Sequence, residues 1–502
     1  MHVMCLVLLY WTEASLQNIV STAQGQIQGV TRDGYVSYTG IPYASVKEGA
    51  GGRFKRGGIA PVWAHVRQPH ECQCSARAAA EECLQLDVHA PPGAAQPVLA
   101  WLAGAGPYDA ARLAREGIIV VIVRHRLGPQ GFLCSSEDHI PGNAGVKDVL
   151  LALRWIRDNI VAFNGNANNV VLGGQGFGAA IAEALTLTPT AQGLFHGVIL
   201  QSGTVLAPWA FNFDADDRAK LLRMKFNGSK EILTRATAED LNTKADQLAL
   251  PYLPFGMCVE NSIKNEERLI PRSPYEILSK GVEIAVPMIM GFNNNEGYIF
   301  VSTLKEARVT RRMTKDMSFL LPVELQSNKR NAPKMMREVD EMYFANNKTM
   351  AAVLAYHRDA YFLSHIHRSV MFHASAPPPV YYYQFSHAGS GGVEEEPGMA
   401  KRGAAHSDEL AYLFPSKGRD MEGDDGVVQG HIVRLWTNFI KKLNPTPPNA
   451  GNTLWSPLNP HDPKVLDIGV ELAMVDFPYR KEAQMWEDIY EKYYFDRRER
   501  RY

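Results

Sequence analysis

The chain has 502 residues, 46% of them hydrophobic and 21% charged, with a formal net charge of −1. That length and apolar content support a large buried core, in one large α/β unit or in two or three domains. The balanced charge argues against nucleic acid as a main partner, because a phosphate-binding face needs a basic excess.

At the N-terminus, Val3 to Trp11 is an unbroken apolar run followed by Thr12-x-Ala14. The run is too short to span a bilayer and has the length of a signal-peptide core, with small residues at the expected cleavage point. We read residues 1–14 as a signal peptide and 15–502 as one domain, a buried first strand being the alternative for the run. The chain holds six cysteines, and removal of Cys5 leaves Cys72, Cys74, Cys83, Cys134 and Cys258. Cys72 or Cys74 pairs with Cys83 across a short loop if the protein is exported, and the odd count leaves a thiol free. Cys134, in apolar surroundings, reads as an inert core residue. Asn227-Gly-Ser and Asn347-Lys-Thr are glycosylation acceptors under the same condition.

Next come two continuous, β-branched runs, "PVLAWLAG" (97–104) and "GIIVVIV" (117–123), which predict buried strands. The stretch 143–163 predicts a helix with Val146, Val149, Leu150, Leu153 and Ile156 on one face. A strand into "GGQGFG", a helix over "AAIAEALTL" and a strand "HGVILQSG" (196–203) complete a β-α-β-α-β rhythm. Such alternation implies a mostly parallel twisted sheet with helices on both faces. Further on, "AVPMIMGF" (285–292) and "VYYYQFSH" (380–387) predict two more strands, and 390–406 a glycine- and charge-rich loop. A loop of that length inside a compact unit is usually functional or mobile. The basic "RRERR" (497–501) reads as a solvated tail, no run after the first approaches spanning length, and the histidines show no metal-ligand spacing.

"VVLGGQGFGAAIAEAL" (170–185) is laid out like a nucleophile elbow, G-x-S-x-G, with Gly176 at its centre. Glycine tolerates the positive φ of such a turn, and Gly174 and Gly178 allow close approach of strand to helix. A dinucleotide loop is disfavoured, since the next strand ends in Ser and Gly rather than in an acidic ribose partner.

The surrounding segments resemble the type-B carboxylesterase/cholinesterase family over nearly the whole chain. They are, in family order, "GIPYA" (40–44), "EECLQLDVHAP" (81–91), "RLGPQGFL" (126–133), "PGNAGVKDVLLALRWIRDNIVAFNGNANNV" (141–170), "VILQSG" (198–203), "GFNNNEG" (291–297) and "AAHSDELAYLF" (404–414). The resemblance implies an α/β-hydrolase fold with Gly176 at the nucleophile position, Glu296 as the acid and His406 as the base. It implies no cofactor. In such an esterase the serine attacks the ester carbonyl, histidine removes its proton, the carboxylate steadies the imidazolium and backbone N–H groups hold the oxyanion.

Gly176 has no atom to attack with, and loss of the nucleophile alone costs about 10⁶ in kcat. The family's oxyanion loop reads Ala103-Gly104-Ala105-Gly106, so Ala105 adds a Cβ beside Gly106. Phe177 stands where a small residue normally donates the other oxyanion N–H, and its ring is expected to narrow the acyl side. Gln175 replaces an acidic residue beside His406. The retained Glu296 and His406 read as a structural pair or, failing that, as a general base for water. Neither Ser202, Ser407 nor Cys134 reads as a substitute nucleophile.

These features imply a secreted, catalytically inactive carboxylesterase-like protein that binds or sequesters a small apolar ligand or ester in its cleft, or engages an extracellular protein partner. Family members that act in adhesion, neurotactin- and neuroligin-like, carry a spanning segment with no counterpart in this sequence. The alternative is a carboxylic ester hydrolase with residual or unconventional activity.

Overall fold

The computed structural model describes residues 18–46, 52–71, 83–104, 108–229, 231–248, 253–326, 328–345, 348–399, 401, 403–415, 421–448 and 454–495. Residues 1–14, Cys72, Cys74, Ala105, Gly106, Asn347 and the basic tail therefore lie outside the described residues.

A hairpin of β1 (Ile19–Thr22) and β2 (Gly25–Gln28) precedes the main sheet. The sheet is built from β3 (Val30–Arg32), β4 (Tyr35–Pro42), β5 (Gln85–Ala90), β6 (Gln96–Leu102), β7 (Ile119–Val123), β8 (Gly165–Gln175), β9 (Gly197–Gln201), β10 (Met288–Asn293), β11 (Val380–Phe385), β12 (Lys464–Ile468) and β13 (Leu472–Asp476). Their order across the sheet is β13-β12-β11-β10-β9-β8-β6-β7-β5-β4-β3. From β7 to β12 every neighbouring pair is parallel, and antiparallel strands close both margins.

Every residue of β7, β9, β10 and β11 is buried. Strands covered on both faces read as unbroken apolar runs, and these sequences do. The expected helix at 143–163 forms as α1 (Ala144–Asn159), then tightens into a 3-10 turn over Ile160–Phe163 and stops at Asn164 in the left-handed region. The helix leaving the glycine cluster is α2 (Phe177–Thr186). Two apolar layers flank the sheet. One gathers α1 and α2 residues such as Val146, Leu153, Ile181 and Leu185; the other packs Trp101, Tyr383, Trp436 and Trp455.

Candidate functional site

The ends of the parallel strands converge on the glycine cluster. β8 stops at Gln175, Gly176 turns with φ 56° and ψ −118°, and α2 begins at Phe177. That φ lies where side chains are strained and glycine is not. Gly174 is needed for a different reason. A Cβ there would come within 2.4 Å of the Gly178 carbonyl carbon, so only glycine lets strand and helix pass this closely. Gly176 N–H donates to Gln201 O at 2.8 Å, anchoring the turn to β9.

Two sequence-distant residues meet the turn. Glu296 opens a 3-10 turn just beyond β10 and is fully buried. Its Oε1 accepts from Asn293 N–H at 2.8 Å, and its Oε2 lies 2.6 Å from His406 Nδ1. His406 ends the expected long loop, which is stitched to the β10 exit by Ala404 N–H to Asn294 Oδ1 (2.8 Å) and Asn295 N–H to Ala404 O (2.9 Å). A Cβ built on Gly176 would stand 3.0 Å from His406 Nε2 and 3.4 Å from Cε1. Gly176, Glu296 and His406 are thus brought together.

The imidazole has a second partner, the Gln175 carboxamide, with Nε2 to Nε2 at 3.0 Å. A proton on Nδ1 facing the Glu296 carboxylate leaves Nε2 as the acceptor, so the Gln175 NH₂ donates. Phe362 covers the ring with centroids 4.9 Å apart. Burial opposes the charged imidazolium, but the Glu296 carboxylate in contact, with Glu409 and Asp408 behind it, outweighs burial and holds the His406 pKa above its ordinary value.

Sequence reasoning missed the support beneath this pair. Glu409 is fully buried, receives Gln201 Nε2–H at 3.0 Å and Asn293 Nδ2–H at 2.5 Å, and is pushed up to about 7 by burial and by Glu296. Asn293 therefore joins both carboxylates, giving its backbone N–H to one and its side-chain amide to the other. Glu409 stands only three residues after His406 in the sequence, in the same turn; Phe362 offers no such signal.

Other expected residues fall as follows. The Phe177 ring packs edge-on against Phe132, with centroids 4.8 Å apart. Next to the oxyanion segment, Gly104 N–H already donates to Tyr108 OH at 2.9 Å. Ser202 is fully buried at the end of β9, at φ 53°. Asn227 is exposed on a turn. The reading of Cys134 as an inert core thiol is corrected: it is bonded to Cys258, a cross-link over 124 residues made possible where the two chain segments meet at a Cα separation of 6.7 Å. Cys83 is also disulfide-bonded, to a partner outside the described residues. Among the described residues no group of three or more His, Cys, Asp and Glu could hold a metal ion.

The profile of the Carboxylesterase family matches residues 16–486. The chain belongs to the carboxylesterase family. Among relatives, it is 29% identical to a medium-chain fatty acyl-CoA hydrolase precursor of Anas platyrhynchos, over 83% of this chain and 78% of that one. It is 28% identical to Homo sapiens carboxylesterase 5A, over 76% and 69%. Neuroligin-2 of Mus musculus is 24% identical over 94% of this chain and 67% of that protein. Among solved structures, juvenile hormone esterase of Manduca sexta superposes with a TM-score of 0.84 at 24% identity, covering 94% of this chain and 99% of that one. The architecture of this carboxylesterase-family chain is the α/β-hydrolase fold, with its parallel strands, elbow and loops in the order the family segments imply. No helix among the described residues is long and apolar enough to cross a membrane.

Proposed function

We propose that this member of the family has exchanged acyl transfer for binding. The observation that carries the reading is the Gly176 turn: it has the backbone of an elbow, no side chain, and His406 Nε2 3.0 Å from where a Cβ would begin. No acyl-enzyme forms on a glycine. The Gln175 amide on Nε2 supports the same reading, because it occupies the lone pair that would take a nucleophile's proton. Glu296 and His406 then serve as a buried hydrogen-bonded pair that fixes two loops. In this reading the protein takes a small apolar ligand or ester beside them without turning it over, or engages an extracellular protein partner instead. The match to neuroligin-2 supports the partner form.

Two bonded pairs of cysteines support export, because disulfides persist in oxidising compartments. Exposed Asn227 is an acceptor such a route would use.

The competing reading is a hydrolase that works through His406 as general base. Hydrolysis of p-nitrophenyl butyrate by the protein and by His406→Ala separates the two. We expect equal rates, both at the level that nonspecific surface groups give. A rate that falls at least tenfold in His406→Ala overturns the proposal.

A further inference from the structure

Away from the elbow, α3 (Ala215–Met224) and α4 (Pro274–Lys280) border a cavity of about 630 Å³ whose wall includes the Cys134–Cys258 bond. That volume is in the range of sites for drug-sized molecules. Phe213, Tyr275 and Tyr494 supply aromatic surface, and Phe213 is 37% exposed. The Phe213 and Tyr494 rings meet edge to face at 5.8 Å.

The polar lining is uneven in charge. Among the described residues of the lining, Asp214, Asp216, Asp217 and Glu276 stand against Arg272 and Lys280. Both of those cations are held by Glu276, Lys280 at 2.9 Å and Arg272 at 3.4 Å. On the α3 side, Asp214 is held by Arg218 at 2.8 Å, and Asp216 accepts from the N–H and Oγ–H of Ser136. Asp217 is exposed and makes no ion pair or side-chain hydrogen bond among the described residues.

The wall also contains a donor in need of an acceptor. Asn212 is 3% exposed, and its Oδ1 accepts from Gly256 N–H, which fixes the orientation of the amide. Among the described residues its Nδ2 is then left with no hydrogen-bond partner. A buried amide donor left unpaired is costly, and such groups cluster where a ligand completes them.

We propose that this cavity is a second binding site, for a cationic amphiphile: an aromatic or alkyl body carrying an ammonium group and one hydrogen-bond acceptor. The body lies on Phe213, Tyr275 and Tyr494, where a cation is also attracted by the ring faces. The ammonium faces Asp217 and the acceptor takes Asn212 Nδ2–H. An anionic ligand of the same size meets the carboxylates instead. The site does not depend on the elbow, so it stands whether or not the protein hydrolyses esters.

Dansylcadaverine tests it, because one molecule holds a fused aromatic body, sulfonyl acceptors and a primary ammonium. Dansyl-6-aminohexanoate, with a carboxylate in place of the ammonium on the same five-methylene linker, is the matched control. Fluorescence titration of the full-length protein is expected to give saturable binding of dansylcadaverine, about tenfold tighter than dansyl-6-aminohexanoate. Asp217→Asn is expected to weaken it about threefold with the melting temperature unchanged, because that side chain is exposed, and Phe213→Ser about tenfold, read at a temperature where that variant is still folded because it also loses the Tyr494 contact. No saturable binding, equal affinity for the two probes, or affinity indifferent to both substitutions overturns the proposal.

Discussion

At the scale of single residues, the imidazole of His406 is held on three sides. Glu296 takes one nitrogen, Gln175 the other, and Phe362 the face. Restoring a serine is therefore more than restoring an oxygen. A Cβ at Gly176 meets His406 Nε2 at 3.0 Å and adopts a φ of 56°, which costs about 1–3 kcal/mol in a non-glycine residue. Gly176→Ser is expected to lower stability by that amount in denaturant titration. It should raise ester hydrolysis by no more than about tenfold, against the roughly 10⁶ that a working nucleophile is worth. Recovery of most of that factor would show that His406 and Gln175 yield easily. Gln175 also makes a spectroscopic prediction. Its donated hydrogen bond favours the neutral ring, so Gln175→Ala should raise the His406 pKa further in an NMR titration of the imidazole. A lowered value would mean that the amide presents its oxygen instead.

At the scale of elements, the β10 exit and the His406 loop form a single clasp through Asn293, Asn294, Glu296 and Glu409. Its pH behaviour follows from two raised pKa values. Glu409 titrates near 7 in the folded protein against 4.5 as its ordinary value, so the folded state holds this proton more tightly. That contribution is whole below pH 4.5 and is lost as pH rises to about 7, at about 3 kcal/mol in all. The raised pKa of His406 acts in the same direction: its contribution is present below pH 6.5 and disappears as pH climbs through the folded value. Glu409→Gln is expected to flatten the stability profile between pH 4.5 and 7, at the cost of one of the two accepted hydrogen bonds, which lowers the whole profile without restoring its slope. An unchanged slope would remove Glu409 as its source.

The same scale shows what the sequence disclosed. The buried strands β6, β7, β9, β10 and β11 were legible because two-sided burial leaves a continuous apolar run. The elbow was legible because glycine spacing has a steric cause. Lys147 was not: on an amphipathic helix it belongs to the solvent face, yet it is 1% exposed and paired at 2.9 Å with fully buried Glu260. Nor was the Cys134 bond, since nothing local to residue 134 announces a partner 124 positions away. Long-range pairings of this kind are set by topology, and one sequence does not print them.

For the whole molecule, that bond ties the segment after β7 to the segment that walls the cavity beside α3 and α4. Closing so long a loop restricts the unfolded chain, so Cys134→Ser with Cys258→Ser should cost about 2–5 kcal/mol in urea denaturation. Binding of dansylcadaverine should weaken with it. A double variant as stable as the parent would make the bond incidental to folding.

The central claim is that an esterase scaffold has kept its acid and base and given up its nucleophile. A fluorophosphonate reads this directly, since it reports any serine that the dyad activates. Intact-mass spectrometry after incubation with excess probe is predicted to show the unmodified protein alone. A stoichiometric single adduct that disappears in His406→Ala would contradict the account, because some other side chain would then be supplying the attack that Gly176 cannot.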